Sequence, residues 1–338
     1  MNLKQRLGSL LLVALLLSVL IGQTAFAAIG SAVTTLPGTV EEAPMMNEVK
    51  SPYVRIWGTI KNITITDGVI HVEVVKGDNQ ESIILNISDT TKIVDSVKRT
   101  AVAPKDLIVG STVYAWHSPF TTRSFPAIAN AEALIVNVPQ DVAAGQFFEV
   151  EKVTKNKDGS VTILNAEQDL YFTIPKNAKI ALFNTNKAIK LSSIKPGTKL
   201  MVWYAVAALS YPAQAGSDQV IAFADEYDGY VSVIDTAVRV NGASIRYKAL
   251  LENGMVWLPA QEVAKKLGFS TSYQSKAKTL TLKKSGKIVA VISEGKDTFT
   301  YQGEERYTTV PIVKNGRMYV ELSLFGELGN FKLAHPVR

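Results

Sequence analysis

Three histidines, His71, His117 and His335, are the only imidazoles in this 338-residue chain, and there is no cysteine. A metal site built from side chains needs His, Cys, Asp or Glu at short, face-matching spacings, such as His-x-His or two His at i and i+4 on a helix. None of the three has such a partner, so no metal and no other cofactor is expected. The lack of cysteine also removes disulfides and thiol nucleophiles. No Gly-x-Ser-x-Gly elbow, Ser-x-x-Lys set or Gly-rich phosphate loop stands in a context that would make it chemistry. Lys284–Lys287 has the residue types of a phosphate loop but lacks its leading glycine and following helix, and reads as a hairpin turn. The acidic pairs Glu41-Glu42 and Glu304-Glu305 fall in loops, and glycosidase carboxylates cannot be chosen by spacing. Asn62-Ile63-Thr64 and Asn86-Ile87-Ser88 match the glycosylation acceptor pattern, which short sequences meet easily by chance.

Two groups of residues suit binding instead. Lys276, Lys278, Lys283, Lys284 and Lys287 crowd one expected hairpin and its approach. Like charges that close are tolerable only in water or against a polyanion. The charge is uneven along the chain: residues 229–338 carry 16 Lys/Arg against 9 Asp/Glu, and residues 28–228 carry 18 against 21. A basic C-terminal end fits anionic surfaces, lipid headgroups or wall polymers rather than nucleic acid; a solvated surface explains it equally. The second group is aromatic. Trp116 and Trp203 are each followed by another ring, His117 or Tyr204. They read first as barrel core. The functional alternative is a stacking surface for sugar or peptide, with Phe120, Arg123, Phe125 and Tyr211 on adjoining loops.

The elements that would carry these residues are mostly short strands. From Tyr53 to Val138, runs such as Val54–Lys61, Val69–Val75 and Ser82–Ile87 alternate, with Asp67-Gly68 as a turn signal. Residues 146–223 repeat the layout. Ser193–Tyr204 aligns with Asp106–His117, pairing Gly110 with Gly197 and Trp116 with Trp203, and Phe125-Pro126 is matched by Tyr211-Pro212. This predicts two tandem small antiparallel β-barrels, at 53–138 and 146–223. The shared order of turn, Gly, strand, aromatic, Pro-loop and strand resembles small oligonucleotide/oligosaccharide-binding-like barrels of secreted bacterial proteins, which have no assigned role.

The last third, from about residue 230 to 338, reads as an α+β module with its own repeat. Asn253-Gly254 leads into the apolar strand Met255–Leu258; Pro259 suits a first helical turn, Val263, Ala264 and Leu267 share one face, and Gly268 stops the helix. Asn315-Gly316, Arg317–Leu322, Leu324–Leu328 and Gly329 repeat the pattern, with Glu321 in the place of Pro259 and a helix one residue shorter. With Val238–Gly242 and Tyr301–Gly303, this doubled block resembles the copper amine oxidase N-terminal-like domain, the stalk module of many secreted Gram-positive proteins. In copper amine oxidases that module lies apart from the catalytic domain, so the resemblance implies no catalytic residue. The oxidase itself would need copper-binding histidines and a quinone-forming tyrosine in an Asn-Tyr-Asp/Glu motif. Tyr227-Asp228 is preceded by Glu226, and no Asn-Tyr occurs.

At the N-terminus, Lys4 and Arg6 precede the apolar run Leu7–Ile21, and Ala25–Ala27 supplies a small-x-small cleavage pattern. A signal peptide over residues 1–27 is expected, cut between Ala27 and Ala28, with an uncleaved anchor as the alternative, a linker over 28–52 and no membrane span afterwards. Together these features predict a secreted, non-enzymatic cell-envelope protein, mainly β with a C-terminal α+β module. It would bind or space at the cell surface, its partners an anionic wall polymer or envelope proteins. The alternative is an extracellular enzyme or regulatory subunit with a site in the barrel loops.

Overall fold

A computed structural model describes residues 51–77, 80–139, 144–204, 206–217 and 219–335. The expected signal peptide with its Ala27/Ala28 cleavage site, and nearly all of the expected linker, lie outside the described residues.

Strict alternation builds the first lobe. β1 (Val54–Thr66), β2 (Val69–Lys76) and β3 (Ser82–Ile87) form a meander, followed by the short β4 (Lys92–Asp95), β5 (Thr112–Thr121) and β6 (Ala127–Val136). Asp67 and Gly68 both take positive φ, as a two-residue hairpin turn requires. The ring runs β3-β2-β1-β5-β6 and closes where β6 pairs in parallel with β3, from Ile83↔Ala127 to Asn86↔Asn130. Every second side chain points inward, so Ile60, Val72, Val74, Leu85, Val113 and Leu134 fill a core with no exposure to water. The pairing of β1 with β2 shifts register between Ile60 and Asn62. At Gly58 a side chain would put its Cβ 2.0 Å from the Val75 carbonyl oxygen, so only glycine fits.

The second lobe repeats the first in detail. β7 (Gln146–Lys155), β8 (Val161–Asn165) and β9 (Leu170–Ile174) form the meander; β10 (Lys179–Leu182), β11 (Lys199–Val202), β12 (Ala213–Gly216) and β13 (Gln219–Phe223) complete it. Gly110 N–H donates to the Ile60 carbonyl and Gly197 N–H to the Val150 carbonyl, both glycines at φ +87°. A 3-10 turn precedes each, at Pro104–Asp106 and Leu191–Ser193. The two lobes differ at the closing strand. Where β6 is continuous, β12 pairs with β9 and β13 with β11 as separate strands, so the second lobe is a half-barrel rather than a ring closed by hydrogen bonds. Its own core gathers Phe148, Val150, Ile163, Phe172, Ile174 and Leu200.

The C-terminal part, beyond Asp225, comprises β14 (Gly229–Ile234), β15 (Ala237–Val240), β16 (Ala243–Ser244), β17 (Leu250–Glu252), β18 (Met255–Pro259), α1 (Ala260–Lys266), β19 (Ser270–Gln274), β20 (Thr279–Lys284), β21 (Lys287–Ser293), β22 (Thr298–Tyr301), β23 (Glu304–Tyr307), β24 (Ile312–Lys314), β25 (Arg317–Glu321), α2 (Leu324–Glu327) and β26 (Phe331–Ala334). Its internal repeat is a pseudo-two-fold. The hairpins β17–β18 and β24–β25 turn at Asn253-Gly254 and Asn315-Gly316, all four residues at positive φ. They join back to back as β17-β18-β25-β24, with Leu258 opposite Val320 at the centre and Trp257↔Glu321 and Pro259↔Tyr319 on either side. Phe269 and Phe331, the first aromatic residues past each helix, meet edge to face at 6.0 Å.

Two details differ from the sequence reading. Pro259 ends the strand rather than opening the helix, because its carbonyl side still pairs with Tyr319. The second helix spans 4 residues against 7, the chain turning out at Leu328 before Gly329.

Candidate functional site

On β7 the inward residues Phe148 and Val150 leave Glu149 and Glu151 facing outward, where alternation alone would read solvent. The outward side is instead covered by the C-terminal part. Glu151, with its side chain 1% exposed, accepts hydrogen bonds from Ser232 Oγ at 2.7 Å, Arg239 Nη1 at 3.1 Å and the Tyr230 hydroxyl at 3.2 Å. Glu149, also buried, pairs with Lys332 Nζ at 3.0 Å. That ammonium also donates to the Gly197 carbonyl at 2.7 Å and lies 3.5 Å from Asp225 Oδ2. The first lobe joins through Glu132 on β6, 2.5 Å from Lys199 Nζ, while Ser51 Oγ donates to Glu167 Oε1 at 2.7 Å.

Burial sets the electrostatics of this junction. Desolvation pushes the Glu149 carboxyl above the usual carboxylate range, opposed mainly by Lys332; it does the same to Glu167, opposed by the Ser51 hydroxyl. Desolvation and the surrounding carboxylates push the Tyr53 and Tyr230 phenols far up, and Tyr227 up to about 12. A cavity of about 200 Å³ beside Glu149, Glu151 and Tyr230 is too small for a substrate of ordinary size. The protein itself supplies partners for both carboxylates, so the cluster works as a joint.

The paired tryptophans form a second joint. Trp116 and Trp203 lie on the outer faces of β5 and of the chain leaving β11, yet both are buried, with Ile135, Phe147, Met201, Ile221 and Phe223 between the lobes. Trp116 packs on Phe147 with ring centroids 5.9 Å apart, and Arg99 of the first lobe covers the Trp203 ring at 5.4 Å. They fill neither barrel interior and offer no stacking surface.

The loop residues named from sequence are exposed but not gathered with the tryptophans. Phe125 and Tyr211 are 89% and 69% exposed, each directly before its proline. Arg123 is exposed in the turn after β5. Phe120, also exposed, is the one of the four that lines a large cleft, of about 810 Å³, beside the first lobe. The lysines divide as well. Lys284 and Lys287 face each other across the Ser285-Gly286 turn, while Lys283 is half-buried and opposite Ile288. Lys276 is exposed in the preceding turn, and Lys278 is held by Glu294 at 3.4 Å.

Of the three histidines, His335 lines both the cavity beside Glu149 and the larger cleft. His117 is buried, with Nδ1 2.7 Å from the Ser118 carbonyl, and desolvation lowers its pKa. His71 Nδ1 lies 2.8 Å from Asn86 Oδ1. Among the described residues no group of three His, Cys, Asp or Glu side chains is placed to hold a metal, and no helix is long and apolar enough to cross a membrane.

Comparison with known proteins bears on the C-terminal part alone. No curated protein matches the chain. A solved murine DNA-binding protein, bound to double-stranded DNA, aligns over 51% of this chain and 96% of its own at 11% identity; its TM-score of 0.19 carries no argument. One family model does match, over residues 239–334, and its span takes in the pseudo-two-fold of hairpins and helices. That model is described as the copper amine oxidase N-terminal domain, so the C-terminal third of this chain is similar to that domain and is consistent with a non-catalytic, stalk-like module.

Proposed function

We propose that this is a secreted, non-catalytic protein of the cell envelope, which holds three β-rich parts together as a spacer and contacts anionic wall polymer through its C-terminal hairpin. The observation that carries the reading is the junction. Glu149 and Glu151 of the second lobe are buried against Lys332, Arg239, Tyr230 and Ser232 of the stalk-like module, while Lys199 ties in Glu132 of the first. A catalytic site would keep such groups open to substrate; here they are consumed in fixing parts to one another. The hairpin supports the contact. Among the described residues Lys276, Lys283, Lys284 and Lys287 have no carboxylate partner, and Lys284 and Lys287 stand opposite one another.

Binding of this kind is weak at each site and strengthened by repetition along the polymer, and salt screens it beyond about 8 Å at physiological ionic strength. The test is retention of the chain from Ala28 onward on isolated cell walls at low and high salt, with and without Lys283, Lys284 and Lys287 changed to Gln. Retention should fall with salt and with the substitutions. Retention indifferent to both would refute the contact.

An enzymatic alternative has one observation in its favour: Glu149 and Glu167 are raised above the carboxylate range, as general acids are. Their committed partners and the small cavity beside Glu149 weigh against it.

A further inference from the structure

The loop between β11 and β12 and the loop between β5 and β6 match position for position. Thr122 N–H donates to the Ile128 carbonyl at 3.0 Å, and Ala208 N–H to the Gln214 carbonyl at 2.7 Å. One serine then braces each tip: Ser124 Oγ donates to the Pro126 carbonyl and Ser210 Oγ to the Pro212 carbonyl, both at 2.8 Å. Each brace holds an aromatic ring, Phe125 or Tyr211, out in solvent. The tips differ in polarity. Where the first lobe has Thr121, Thr122 and Arg123, the second has Ala207, Ala208 and Leu209. Leu209 is fully exposed and Val206 is 77% exposed, and no charged residue occurs from Leu200 to Ser217.

We propose that the second-lobe tip is an anchor on a lipid surface, with Val206, Leu209 and Tyr211 inserted among the headgroups and upper acyl chains. Single exposed apolar side chains are ordinary; three gathered on one uncharged loop mark a contact. Leu209 has nothing covering it, so the loop projects rather than lines a hollow, which disfavours an enclosed small ligand. Hydrogen bonding favours lipid over a partner chain. Hydrocarbon offers no donors or acceptors, so backbone that enters it must be satisfied from within. Here the Ala208 and Ser210 N–H groups and the Pro212 carbonyl are all bonded inside the loop, and Pro212 has no N–H. A polypeptide adding along the loop would need those groups free. Tyrosine suits the boundary, its ring among the chains and its hydroxyl at the headgroups. Entry to about 5–10 Å places the contact on the membrane surface, without spanning it. The tip is separate from the lysine hairpin and does not depend on its role.

The test uses the whole chain from Ala28 onward, sedimented with sucrose-loaded vesicles of neutral phosphatidylcholine at high salt, where the contribution of the lysines is screened. Binding is expected at millimolar lipid. Leu209→Ser combined with Tyr211→Ala should weaken it about ten-fold or more, as the loss of two inserted apolar side chains requires. Both residues are exposed, so the melting temperature should be preserved. Val97→Ser, an exposed apolar site outside the tip, should leave the binding unchanged. The proposal is overturned if the chain ignores neutral vesicles, if it binds only when anionic phosphatidylglycerol is included, or if the doubly changed tip binds as the parent does. It is equally overturned if the tip instead joins two copies of the chain, seen as a dimer that the double variant dissociates and vesicles do not. Because the assay is run on neutral lipid at high salt, its failure is distinguishable from failure of wall retention through the hairpin.

Discussion

Lys332→Met isolates the joint. The ammonium sits between Glu149, whose side chain is 5% exposed, and Asp225, and it also donates to the Gly197 carbonyl. Removing one member of a buried pair strands the other charge, at a cost of about 3–5 kcal/mol. Lys332 keeps 19% of its side chain exposed, so the lower end, about 3 kcal/mol, is expected. Urea unfolding followed by tryptophan fluorescence reads this out, since Trp116 and Trp203 are buried in the same body. Lys61→Met is the control: its partner Glu73 is paired at the surface, with the lysine 59% exposed, and the loss should stay under about 1 kcal/mol. The sign with pH follows from Glu149. Without its chief opposing cation its carboxyl rises further, so it is protonated more readily as pH falls, and the cost of Lys332→Met should shrink at acidic pH. Adding Glu149→Gln should recover about half of the loss or more, because the stranded charge is gone. A single variant costing under about 1 kcal/mol, or a double variant no more stable than the single, would refute a buried, coupled joint.

Three further outcomes are expected. Trp203→Ala should destabilise the protein by about 3–5 kcal/mol by emptying the contact between lobes, whereas a loss under about 0.5 kcal/mol would place the ring at a solvated surface. Expressed separately, residues 51–139 and 144–224 should each expose that contact and associate when mixed, seen as a shift in elution volume; two well-behaved lobes that ignore each other would contradict it. Glu167→Gln should flatten the pH dependence. The raised folded pKa means the folded state keeps a proton the unfolded chain has lost, so stability falls as pH rises from the ordinary glutamate value to the raised one. An unchanged slope of urea midpoint against pH in that window would rule this out.

The features most legible in the sequence were those fixed locally. Asn253-Gly254 and Asn315-Gly316 specify their turns because both residues accept left-handed backbone, and Gly110 and Gly197 mark one hydrogen-bonded corner in two copies. Trp116, Glu149 and Glu151 do lie on strands, whereas Trp203, read as a strand residue, falls just past the end of β11. Alternation could not say what lay on their outward side. Period two distinguishes the faces of a strand but not water from another part of the chain, and the partner of Glu149 lies at Lys332, in a different module. The pairing of β3 with β6 was hidden for the same reason: the two strands become neighbours only when the ring closes. The split between β12 and β13 left no signal beyond the short polar interruption around Ser217.

Lys332 stands on β26, after every carboxylate it neutralises, and β26 pairs in parallel with β14 at the start of its module. A chain emerging from its N-terminus must therefore carry Glu149 without its chief cation through the appearance of both lobes and most of the stalk-like module. A polypeptide cut short before Phe331 lacks the strand, its cation and the ring that meets Phe269 all at once. The junction is thus completed only by the last strand of the module. A product ended before β26 would lose these contacts together, Lys332 at Glu149 and Phe331 at Phe269.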